Sequence, residues 1–84
     1  MEVNQVPKKR DTYRYDLWDG HEKVYIGIAN DPERREDEHK QDKDFDRMKV
    51  EGPCVSRETA GEWEKDALDK YRKGHGGRAP KYNE

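Results

Sequence analysis

The sequence predicts an α+β domain, a small three-stranded antiparallel sheet packed with two or three helices. Three features lead there. Thr12 to Trp18 and Lys23 to Ala29 alternate in character on either side of Asp19-Gly20, the pattern of a β-hairpin. Asn30-Asp31-Pro32-Glu33 then carries a capping residue, a first-turn proline and an early acidic residue, which together start a helix. Ala60, Trp63, Ala67, Leu68 and Tyr71 recur at helical spacing and give the chain its one amphipathic stripe.

Taken in order, residues 1–11 hold Pro7 and the cluster Lys8, Lys9, Arg10 without apolar periodicity, and are expected to be a flexible leader before a single domain over 12–84. In the second strand Val24, Ile26 and Ile28 fall on one side, with Tyr25 and Gly27 on the other. The first helix is expected from Pro32 to about Gln41. No apolar residue occurs from Glu33 to Asp44, so that helix has no greasy stripe and must be held otherwise or be exposed on most sides. Val50 to Val55, interrupted by Gly52-Pro53, reads as a short third strand. The second helix opens at Ser56 or Thr59, the latter fitting a capping box with Glu62, and Gly74, Gly76 and Gly77 end it.

Composition limits what such a domain can do. The 84 residues allow one core, and Leu, Ile, Val and Phe together number only 10, while 45% of the chain is charged. Eighteen basic and 20 acidic residues balance to a net charge of -2, and two Trp and five Tyr supply buriable area, so the expectation is a folded rather than a disordered chain. No apolar run approaches a membrane span and no signal-peptide core is present, which predicts a soluble, cytoplasmic monomer. A lone Cys54 has no partner for a disulfide or a zinc framework. With a pI near 5.9, nucleic acid could be held only by a local patch.

The polar residues that stand out are Tyr15 and Tyr25 in strands, Arg35 and His39 four apart on one helix face, and Glu64 beside the amphipathic stripe. Singly, each is equally well a surface residue: a solvated face would carry Arg35 and His39, and Glu64 could pair with Lys65 or Arg57. In order along the chain, however, they resemble the GIY-YIG nuclease family. Tyr25-Ile26-Gly27 stands as its second signature, followed by the helix with Arg35 and His39. Tyr13-Arg14-Tyr15 stands where Gly-Ile-Tyr is usual, keeping the tyrosine alone. The helix around Glu64 is similar to the one bearing the family's metal-binding glutamate, and Asn83 matches its terminal asparagine.

That resemblance implies a metal-dependent endonuclease acting on nucleic acid, in the first place DNA, with Mg²⁺ or Mn²⁺ held by Glu64. It implies Tyr15 as the group acting on the attacking water and Tyr25 as a hydrogen-bond partner of water or phosphate. Arg35 would brace the phosphate, His39 would orient water or phosphate, and Gly27 and Asn83 would support the site, Asn83 through Glu64 or the loop. The alternative is a weakly active or inactive module on the same fold that binds nucleic acid or protein. Lys70, Arg72, Lys73, Arg78 and Lys81 lie in a C-terminal stretch of net positive charge, the expected nucleic-acid surface. Targeting is expected from structured DNA or a partner protein.

A shared site constrains the hairpin. A two-residue turn at Asp19-Gly20 would set Tyr15 opposite Val24 and send Tyr15 and Tyr25 to opposite faces of the sheet. A three-residue loop, Asp19-Gly20-His21, pairs Tyr15 with Tyr25 on one face. The nuclease reading therefore predicts an odd-length loop with Gly20 at positive φ.

Overall fold

The computed structural model describes residues 10–84. The elements run β1 (Thr12–Asp19), β2 (Glu22–Ala29), α1 (Pro32–Lys40), β3 (Arg47–Val55), α2 (Arg57–Gly74) and a closing 3₁₀ turn (Lys81–Asn83). The strands form one antiparallel sheet in the order β2-β1-β3, so the α+β expectation holds. Of the expected leader, residues 1–9 lie outside the described residues, and β1 begins at Thr12. Among the described residues no helix is long and apolar enough to cross a membrane.

The hairpin corrects one expectation and keeps its consequence. Its turn is the two-residue Gly20-His21, with Asp19 opposite Glu22, rather than a three-residue loop. The odd residue enters inside the ladder: Trp18 faces Lys23 and Leu17 faces Tyr25, leaving Val24 as a bulge in β2. Tyr15 consequently pairs with Gly27 instead of Tyr25. Since Tyr25 and Gly27 are two apart, both tyrosine rings still project from the same face. Gly20 has φ 64°, as the tight turn requires.

That face carries the apolar core. Tyr15, Leu17, Val24 and Ala29 are closed off from solvent, with Tyr25, Phe45, Met48 and Tyr82 packed around them. The third strand is longer than expected, and Gly52 at φ 81° lies where the β1–β3 register shifts. The other face is mixed, with buried Ile26 opposite a charged cluster. Buried Asp16 receives both guanidinium nitrogens of Arg14, at 2.8 and 3.2 Å, and the Lys23 ammonium at 3.3 Å.

The stripe of α2 lies over this mixed face, and that is why only Ala60 of the helix is fully buried while Trp63, Ala67, Leu68 and Tyr71 are half-buried. A cleft of about 550 Å³ remains between them, lined by Arg14, Asp16, Lys23, Trp63, Lys70 and Tyr71 among others. Ser56, not Thr59, caps the helix: its Oγ accepts the Thr59 N–H at 3.2 Å.

Candidate active site

In α1, sequence and position explain each other. Asp31 caps it by accepting the Arg34 N–H at 3.3 Å, Pro32 opens its first turn, and Glu38 bridges Arg34 and Arg35 at 3.4 and 3.3 Å. Its sole buried side chain is His39. A helix without an apolar face is therefore docked through an imidazole.

The ring of His39 meets the two strand tyrosines. Its Nε2 lies 2.7 Å from the Tyr15 hydroxyl, and its centroid is 4.8 Å from that of Tyr25 and 5.8 Å from that of Tyr15. The tyrosine centroids are 6.0 Å apart. Gly27 makes this cluster sterically feasible: a Cβ there would lie 2.6 Å from Tyr25 Cε2 and 2.7 Å from the Tyr15 oxygen. The glycine of the Tyr25-Ile26-Gly27 triplet is thus required by ring approach, not by an unusual φ.

Burial pushes the Tyr15 hydroxyl well above the ordinary tyrosine range; Tyr25 and Glu64 add to the rise and the Arg35 guanidinium opposes it. A standing tyrosinate is therefore disfavoured. Burial lowers the pKa of His39, aided by the charges of Lys43 and Arg35 and opposed by Asp42 and Glu38. Tyr15 and His39 are both held neutral around one hydrogen bond; a proton passed from the phenol to the imidazole would leave a buried tyrosinate–imidazolium pair, so such a transfer has to be coupled to Tyr15 regaining a proton from elsewhere.

Arg35 and Glu64 reach the cluster only electrostatically, each acting on Tyr15. The Arg35 side chain is half-exposed and its ionic partner is the exposed Glu38, an exchangeable carboxylate. Glu64 makes no hydrogen bond or ion pair among the described residues, although burial raises its pKa against the pull of Arg14 and Arg57. A half-buried carboxylate without a partner suits a hard cation that takes one protein oxygen and keeps its waters. Among the described residues no group of three or more acidic, histidine or cysteine ligands forms, so any such ion would depend on Glu64 together with water and substrate.

Asn83 has a different role from the expected support of Glu64 or a loop. Its side-chain amide accepts the Ile26 N–H and donates to the Ile26 carbonyl, both at 2.9 Å, pairing the outer edge of β2 as another strand would. It thereby braces the residue between Tyr25 and Gly27.

Lys70 lines the cleft under α2, Arg72 pairs with Asp69 at 3.7 Å, and Lys73 is exposed in the last turn. Arg78 and Lys81 line a separate cavity with Glu22 and Glu84, though Lys81 Nζ also lies 5.1 Å from the Tyr82 ring. Sequence reasoning missed Lys43, whose ammonium lies 5.4 Å from the Tyr25 ring centroid. Its position in an irregular polar stretch gave no periodic signal.

Comparison with protein-family models, with curated proteins and with solved structures found no match to this chain.

Proposed function

We propose that the chain is a metal-dependent endonuclease of the GIY-YIG type that hydrolyses phosphodiester bonds, with DNA as the substrate. The observation carrying this reading is the meeting of Tyr15, Tyr25 and His39, drawn from two strands and a helix, over a glycine whose absent side chain makes room for them. Docking α1 accounts for the buried His39–Tyr15 contact alone; the nuclease reading also gives a use to Arg35 and to the unpaired Glu64, which act electrostatically on the same hydroxyl.

Hydrolysis requires that water lose a proton as it attacks phosphorus, and that the charge gathering on the phosphoryl oxygens be balanced. The guanidinium of Arg35 exchanges Glu38 for two phosphoryl oxygens. Tyr25 donates its hydroxyl to the phosphate or the water. Tyr15 accepts the proton of the attacking water as its own moves to His39 Nε2, so the phenol is neutral before and after and the charge ends on imidazolium. Glu64 would hold Mg²⁺ or Mn²⁺, which when bound supplies Lewis-acid stabilisation of phosphate and leaving oxygen.

One observation favours a second reading. Tyr15 has no accessible surface and its hydroxyl is already engaged by His39, as would suit a binding module in which the cluster is structural. Cleavage of plasmid and branched DNA separates the two. The nuclease cuts with Mg²⁺ and loses at least about a hundredfold in rate on Glu64→Ala; the binding module cuts nothing and keeps a salt-dependent affinity in both proteins.

A further inference from the structure

The loop Gln41 to Asp46 returns the chain from α1 to β3 and is pinned at three backbone points. Lys43 N–H donates to the His39 carbonyl at 2.8 Å, Asp44 N–H to the Tyr82 hydroxyl at 2.9 Å, and Asp46 N–H to the Trp18 carbonyl at 2.8 Å. So anchored, the loop carries Lys43 back over the tyrosines, with Nζ 5.4 Å from the Tyr25 centroid and 5.8 Å from that of Tyr82. The side chain is only 16% exposed, and the carboxylate it pairs with, Asp42 at 3.2 Å, is its own neighbour in sequence and 69% exposed. Lys81 lies against the Tyr82 ring from its own element, so two ammonium groups share that ring.

This is an uncommon setting for a lysine. Stapling two rings together takes only the aliphatic stem, and a surface ion pair with an adjacent aspartate adds little. What the position provides is an ammonium held beside Tyr25 whose carboxylate partner is open to solvent and therefore exchangeable. Arg35 stands in a similar relation to the half-exposed Glu38, and both cations act electrostatically on His39.

Resting on the nuclease reading above, we propose that Lys43 is a substrate-binding residue of this site: its ammonium exchanges the Asp42 carboxylate for a backbone phosphate of the bound DNA strand, as a second cation besides Arg35. A lysine suits this task as a point charge, without the two-pronged geometry that Arg35 contributes.

The test is binding of a short fluorescein-labelled DNA duplex in EDTA over a salt series, with Mg²⁺-supported cleavage of the same duplex measured in parallel. Wild type, Lys43→Met, Lys43→Arg and Asp42→Asn are compared, each checked for folding by thermal unfolding. Methionine keeps the stem between the rings and removes the charge. The expected result is about tenfold weaker binding near physiological salt for Lys43→Met, and a log-affinity against log-salt slope smaller by about one. Lys43→Arg should retain the wild-type slope, and Asp42→Asn should bind more tightly than wild type. If Lys43→Met is folded and binds with the wild-type slope while the wild type cuts DNA, the assignment of Lys43 is overturned and the nuclease reading stands. If the wild type neither binds nor cuts DNA, both are overturned. Should Lys43→Met lose stability, the Lys43→Arg and Asp42→Asn comparison still decides, because unchanged binding in Asp42→Asn and weakened binding in Lys43→Arg contradict exchange of a counterion.

Discussion

Gly27 and Glu64 show how a single side chain, or its absence, sets the chemistry of this site. A methyl group at Gly27 would sit at 2.6 to 2.8 Å from two ring carbons of Tyr25 and Tyr15 and the Tyr15 hydroxyl oxygen, closer than real Cβ contacts come. Gly27→Ala should therefore lose about 1–3 kcal/mol in urea unfolding, and cleavage should fall with it because both rings must shift. Glu64 works in the opposite sense. Its pKa is raised from 4.5, so it contributes stability below that value that is lost as pH rises through its folded one. Glu64→Gln should then unfold at a slightly higher temperature than wild type at pH 7, with the gap closing below about pH 4.5 in thermal scans, while activity disappears.

At the scale of elements, the site depends on strand edges and a bulge more than on helix packing. The bulge at Val24 changes the parity of the hairpin, bringing Tyr25 to the face of Tyr15 despite a two-residue turn. Asn83 closes the exposed edge of β2 at Ile26 through two hydrogen bonds, which ties the end of the chain to the strand that carries Tyr25 and Gly27. Asn83→Ala should cost about 1–3 kcal/mol and loosen Tyr25. Hydrogen exchange at the Ile26 amide would report that loss directly, with protection falling there before it falls in β1. Helix α1 would unfold alone in water, being short and without an apolar face, and its order comes from Asp31, Pro32 and the His39–Tyr15 bond.

For the molecule as a whole, the titrations combine into one pH profile. His39 is held below 6.5, so the stability tied to its neutral form is complete above that value and lost as pH falls through 6.5 toward its folded pKa. Tyr15 is displaced upward, and the stability tied to its neutral form is lost only as pH rises past 10.0. Chemical denaturation across pH should show a plateau at neutral and mildly alkaline pH with a decline on the acid side. On the proposed nuclease reading, cleavage requires neutral His39 and ionised Glu64, so its acid limb should lie above 4.5, the ordinary value for Glu64. Tyr15→Phe should abolish cleavage without moving that limb in the binding of Mg²⁺, which reports Glu64 alone.

Local signals in the sequence determined the elements, and the order of residues along it supplied the candidates for the site. Alternation around Asp19-Gly20, the Asp31-Pro32 start and the stripe from Ala60 to Tyr71 each act within a few residues, and each element formed where its signal lay. The order of the candidate residues Tyr15, Tyr25, Gly27, Arg35, His39 and Glu64 was also legible, because order along the chain does not depend on packing. Only the tertiary structure decided the register, since parity hangs on one bulged residue that no local propensity marks. It alone decided that Asn83 pairs the edge of β2 and that Lys43 lies over Tyr25. Each of these joins residues distant in sequence through hydrogen bonds or charge, which leave no periodic trace in the chain.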